Sequence, residues 1–248
     1  MLFRIPLLLL SLWLAPQQTP SNVKAKQVVE QAIAALGGER YLQASERSGT
    51  GHLYTFNTSG ELNDPGTVFW VYYRFPADER IELSKKRDVI YIYAGGKGWE
   101  ITYKGVAQLL KRELAAYSNL SAHALDLILK TWSRDPQTLM LYQGLNDFDQ
   151  AQVESVLFTT QSGDSATVDF SLTTHLPLRV SWPRTDALTG GHFTESVIYG
   201  NWASIGGLEA PFSLDHFQGP QRADQRYFTS VSFAPFPDTL FTPAPLKR

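Results

Sequence analysis

No cysteine occurs among the 248 residues. Disulfides, thiolate metal ligands, thiol nucleophiles and a lipid attached through an N-terminal cysteine are thereby excluded. A surplus of charge is missing too. Lys and Arg number 22 against 24 Asp and Glu, a formal net charge of −2, whereas a nucleic-acid partner calls for a basic surplus. The densest basic run, KKR at Lys85 to Arg87, is too short for an interaction tail. Metal and catalytic signatures are equally scarce. His52, His123, His175, His192 and His216 are scattered, with no HExxH and no other pair at ligand spacing. His192 and Glu195 sit three apart in an expected strand, which puts them on opposite faces. There is no GxSxG elbow. Acids such as Asp78, Glu79, Glu82 and Glu100 fall on or near strands, where a solvated face is the default. The expectation is a protein without enzymatic activity, cofactor or metal.

The stretch DVIYIYAGGKGWEITYK, Asp88 to Lys104, holds a glycine–lysine loop that could cradle a phosphate or merely turn the chain. A phosphate-binding P-loop needs Gly-Lys-Ser/Thr opening a helix. Here Gly98 and Trp99 follow Lys97, and the chain resumes as a strand. Without a helix N-terminus the electrostatic reason to hold phosphate is gone. Glycines needing positive φ between paired strands fit a tight hairpin.

What the chain does have is an ordinary globular composition, 43% hydrophobic and 19% charged, long enough to bury a proper core. Its first fifteen residues, MLFRIPLLLLSLWLA, place one arginine before an apolar run. This reads as a signal peptide, or as an uncleaved anchor because Trp13 is large where a cleavage site wants a small residue. Residues 16–22 read as a linker and 23–248 as a single domain. The expected location is the periplasm or another exported compartment.

Ala25, Val28, Val29, Ala32, Ile33 and Leu36 share one face of a helix capped by Ser21 or Asn22 and closed by Gly37. A short helix, Glu39 to Ala44, follows. Strand-like segments then run from Gly49 to Lys104. Two amphipathic helices are expected next: one over Val106 to Tyr117 with Leu109, Leu110 and Leu114 on its apolar face, one over Ser121 to Trp132 with Leu125, Ile128 and Leu129. Strands return after Thr138. Ten to eleven strands at this spacing give an α+β, mainly β chain, an antiparallel sandwich or barrel. Phe69, Trp70, Tyr72, Tyr73, Tyr91, Tyr93, Trp99 and Tyr103 crowd four consecutive strands, several of them apolar on both faces. An open sheet needs only one apolar face, so the second must be covered by helices, a ligand or a partner. Either the helices fill the space completely, or a wide sheet curling round short helices leaves an apolar cavity.

The order of the pieces resembles a known family. An aromatic strand ends in YRFPADERIEL, with Arg74, Pro76 and Arg80; a hairpin carries Gly96, Lys97 and Trp99; IGGLEAP spans Ile205 to Pro211; and LFTP closes at Leu240 to Pro243. These resemble the outer-membrane lipoprotein-sorting family, periplasmic carriers of bacterial lipoproteins, over about Val23 to Pro245. The basic residue that precedes the proline in the carriers is Phe75 here. The resemblance implies a curved, incomplete antiparallel barrel with helices on its concave side and a cavity for acyl chains. It implies as partner a lipid or lipid-modified protein, with an envelope protein partner or a peripheral membrane contact as alternatives. Candidate cavity-wall residues combine inward helix faces with aromatic strand positions: Phe69, Tyr91, Trp99, Leu110, Leu114, Ile128, Leu129, Trp132 and Trp182.

Overall fold

The computed structural model describes residues 20–63, 65–186 and 189–246; the expected signal peptide or anchor over 1–15 and the linker up to residue 19 lie outside the described residues. The first helix, α1 (Pro20–Leu36), buries the six expected apolar residues along one face, against β7, β8 and β12 of the sheet defined below. A short α2 (Glu39–Gln43) follows and buries Tyr41.

Among the described residues, thirteen strands form one antiparallel sheet. The first six are β1 (Glu46–Thr55), β2 (Thr67–Arg74), β3 (Asp78–Leu83), β4 (Val89–Ala94), β5 (Lys97–Thr102) and β6 (Gly105–Gln108). Two helices, α3 (Lys111–Ala122) and α4 (Leu125–Lys130), then cross to the far side. There follow β7 (Leu139–Phe148), β8 (Ala151–Thr159), β9 (Ser165–Ser171), β10 (Pro177–Thr185), β11 (His192–Ile205), β12 (Leu208–Gln218) and β13 (Gln221–Ser232). Each half is a meander, and the halves join where β1 pairs with β13, from Ser48 opposite Ser232 to Thr55 opposite Asp224. The sheet does not close: β6 and β7 are its free edges.

The glycine–lysine segment is a hairpin turn. Ala94 pairs with Lys97, and Gly95 and Gly96 between them have φ of 56° and 74°. Two successive positive φ values suit the right-handed twist of the flanking strands and favour glycine at both places.

Two elements differ from the sequence reading. The sheet has two more strands than the eleven counted, β6 and β7. Val106, expected to open a helix, instead pairs with Ile101 at the sheet edge, and the helix starts only at Lys111, where the Glu113 carboxylate accepts the Leu110 N–H at 3.0 Å. A β-branched residue after a turn glycine gains ladder hydrogen bonds, which the helical pattern of Leu109 and Leu110 does not reveal. The second break also shifts: α3 runs on through Ser121, the expected cap, and the chain turns at His123 and Ala124 before α4.

The doubly apolar strands have a cover on each side. Phe69, Val71 and Tyr73 point to the helix side of β2, while the outer face collects Tyr72, Ile90, Ile92, Trp99 and Ile101. That outer cluster lies beneath the segment after β13, where Phe236 and Phe241 pack on it around a 3-10 turn at Asp238–Phe241. Arg74 lies over the Phe241 ring at 4.7 Å and ion-pairs with Asp238 at 2.8 Å, and Arg80 donates to the Leu240 carbonyl at 3.0 Å. The chain's own C-terminal segment covers the outer face.

Candidate functional site

Ile81 on β3 and Val197 on β11 stand five places apart in the strand order, yet both line one cavity. Flat strands about 4.8 Å apart would keep them more than 20 Å from each other, so the sheet must curl to bring them together. The cavity measures about 500 Å³. Its floor is the concave face of β10 to β13, its walls are β2 to β4, and its roof is α3 and α4 with Ala116, Tyr117, Leu120 and Leu125.

Strand β11 contributes four residues to its lining. Glu195, Val197 and Tyr199 alternate inward, and Trp202 follows after Asn201, whose φ of 53° breaks the alternation. At about 3.3 Å per residue, Glu195 to Tyr199 spans roughly 13 Å. The lining is mainly apolar, with Val197, Leu214, Pro211, Ile81 and Leu120 among its residues.

An alternating chain of ionic groups crosses the concave face. Arg184 lies 3.4 Å from Glu195; His216 sits 2.9 Å from both Glu195 and Asp224; Arg226 reaches Asp224 at 3.8 Å and Glu79 of β3 at 3.4 Å. Burial opposes charge on His216, but hydrogen bonds to Asp224 and Glu195 outweigh it and raise its pKa to about 9. Burial likewise opposes charge on Asp224, and the His216 bond with Arg226 nearby holds it below the usual carboxylate range. A second pair lies deeper. Asp126 accepts from the Tyr41 hydroxyl at 2.8 Å and faces Arg47 at 3.6 Å; burial pushes its pKa up, and Arg47, Lys130 and the Tyr41 hydrogen bond together more than reverse this. Burial beside Asp126 drives the Tyr41, Tyr73 and Tyr199 phenols upward, so all three stay neutral.

Two polar atoms of this lining lack hydrogen bonds. Trp202 Nε1 and Glu195 Oε2 are both buried without a hydrogen-bond partner. The latter has Arg184 Nε near it but not in bonding geometry.

The nine residues expected to line a cavity are distributed elsewhere. Ile128, Leu129, Trp132 and Trp182 are buried in the main core with α1. Trp182 donates to Asn119 Oδ1 at 2.9 Å and stacks on His123 at 4.9 Å. Phe69 faces the helix side but packs edge-on to Phe228, 5.2 Å away. Tyr91 bonds Glu100 at 2.9 Å, Leu114 lies over Gly98, Trp99 sits on the outer face, and Leu110 is 55% exposed. None of the nine borders the cavity. The late start of α3 explains Leu110, which precedes the helix, while the cavity side of α3 carries Glu113, Ala116, Tyr117 and Leu120. The ionic chain escaped the sequence reading. Its trace there is Asp224 and Arg226, charged residues two apart on a strand and therefore on one face.

No family model matches the sequence, and no curated protein matches it. Solved structures do match its shape. The LolA superfamily protein NE2245 from Nitrosomonas europaea superposes with a TM-score of 0.55 at 10% identity, over 88% of this chain and 97% of that one. An outer membrane lipoprotein-sorting protein domain from Vibrio parahaemolyticus gives 0.58 at 10% identity, over 89% and 97%. The fold is that of the lipoprotein-sorting proteins. A DUF1329 family protein from Desulfovibrio piger shares it too, with a TM-score of 0.59 at 14% identity over 90% and 98% of the two chains. In this fold, His216 is poorly suited to act as a base. Both its ring nitrogens are occupied by carboxylates, and it stays protonated at neutral pH, so it has no lone pair to accept a proton. No group of three or more His, Asp or Glu among the described residues is placed to hold a metal ion.

Proposed function

We propose that the protein is an exported envelope component that shelters the apolar chain of a lipid, or of an acylated partner, in the cavity beneath α3 and α4, without catalysis. The observation that carries this is the 500 Å³ cavity itself, with a mainly apolar lining between curled sheet and helices. Each methylene left in water costs about 0.8 kcal/mol, so a chain crossing an aqueous compartment needs such a container. The shared fold and the names of its lipoprotein-sorting neighbours support the reading, and the apolar N-terminal run MLFRIPLLLLSLWLA supports export.

The test is native mass spectrometry of protein gently extracted from its host, together with titration of N-phenyl-1-naphthylamine. Co-purified lipid and saturable probe fluorescence are expected. Leu120→Trp, which fills the cavity, abolishes the fluorescence while circular dichroism stays native. No lipid and no saturable binding would overturn the proposal.

A second reading, a protein-contact module, draws on the edge strand β6 and its flanks. Tyr103 in the turn before it is 85% exposed, and Val106 on it and Leu110 after it are also open to solvent. It predicts that Leu120→Trp changes nothing and that Tyr103→Ser with Leu110→Ser alters crosslinking to envelope proteins.

A further inference from the structure

The charges around the cavity do not balance. Four cationic groups line it: Arg47, Arg184, Arg226 and His216. Each is already engaged by a carboxylate of the protein, at 3.6 Å for Arg47, 3.4 Å for Arg184, 3.4 Å for Arg226 and 2.9 Å for His216. Six carboxylates line the same space. Two of them, Glu113 and Glu209, have no ion-pair partner among the described residues; Glu113 accepts only the Leu110 N–H. Glu195 Oε2, which lies 3.4 Å from Arg184 Nε, is buried and accepts no hydrogen bond.

An incoming anion therefore finds no free cation, only the neutral Trp202 Nε1–H as an open donor. To gain a cation it must break an ion pair and leave a buried carboxylate uncompensated, a change that is strongly unfavourable in a partly dry site. An incoming donor or cation finds acceptors waiting. The space suits one chain: about 500 Å³ falls within the range of sites for single small ligands, roughly 300 to 1,000 Å³.

We infer that the cavity takes a single-chain amphiphile whose head is cationic or an uncharged hydrogen-bond donor, and that it rejects chains ending in an anion such as a fatty-acid carboxylate. This rests on the chain-binding reading above and adds the class of head.

The experiment displaces bound N-phenyl-1-naphthylamine from the native protein at pH 7 with dodecylamine, dodecanol and dodecanoate, all below their micellar concentrations. The chain is constant and only the head changes. Dodecylamine and dodecanol are expected to displace the probe at concentrations at least tenfold below dodecanoate. In the double variant Glu113→Gln, Glu209→Gln, the gap narrows because the unpaired negative charge is gone, while dodecanol is unaffected. Dodecanoate competing as well as dodecanol on the native protein overturns the inference and leaves chain binding standing. Displacement by none of the three overturns chain binding, and the inference with it.

Discussion

Glu195 on β11 and His216 on β12 face each other across neighbouring strands at 2.9 Å, and the other ring nitrogen of His216 meets Asp224 on β13 at the same distance. Three consecutive strands are thus pinned through one imidazolium. Its pKa is about 9 in the folded chain against 6.5 for a free histidine. A group with a raised folded pKa stabilises fully below its unfolded pKa and loses that stability as pH rises through the folded one. Thermal unfolding midpoints should therefore fall between pH 6.5 and about 9, by an amount equivalent to about 3 kcal/mol. His216→Gln should be less stable at pH 6 and flat across that window. An unchanged slope in the variant would assign the pH dependence elsewhere.

Trp202 borders the cavity with a buried, unbonded Nε1, whereas Trp99 lies on the opposite face of the sheet beneath the C-terminal segment. An apolar ligand should shift the emission of Trp202 and leave Trp99 silent. Trp202→Phe is expected to lose most of the ligand-induced change, and Trp99→Phe to keep it. The reverse result would put the ligand on the outer face.

Phe241 closes the outer cluster, 8% exposed and under the Arg74 guanidinium. Truncating a buried phenylalanine costs about 3–5 kcal/mol. Phe241→Ala should lower the urea midpoint by that order with an unchanged m value, and leave chain binding intact because the cavity is on the other side.

Gly51 sits where β1 meets β13 at a register shift. A Cβ built there would stand 1.9 Å from the Tyr227 carbonyl oxygen, which as backbone cannot swing aside. Gly51→Ala should destabilise by about 3 kcal/mol, at the upper end for overpacking. At Gly49 the nearest atom, 2.7 Å away, belongs to the Phe228 ring. Gly49→Ala should be milder, since a side chain can yield. Equilibrium denaturation of the two variants side by side measures the difference.

Much of this was legible in the residues. The 3.6-residue spacing from Ala25 to Leu36 marks the buried face of α1, and the AGGKG turn follows from glycine geometry. The order of weak motifs, from YRFP to LFTP, points to the fold that the superpositions bear out. The site was harder, for two physical reasons. Strand parity is set by register, and a shift of one place sends a residue such as Trp99 outward while Tyr91 points in. The ionic chain joins residues from β3 to β13, and its pairings depend on a curl that no local pattern encodes. The aromatic residues on both faces of β2 to β5 did signal two covers, but the outer one, Phe236 and Phe241, lies far along the chain.

The seam between β1 and β13 also dictates when this molecule can be finished. Thr50 and Ser230, bonded across it, are 180 positions apart. During synthesis the first meander is made early and then waits, one strand edge bare, until the last strand emerges. Such long-range pairing is slow to find, on the order of milliseconds to seconds. A secretory route that keeps a polypeptide unfolded until it has been threaded through a membrane would spare it that exposed interval.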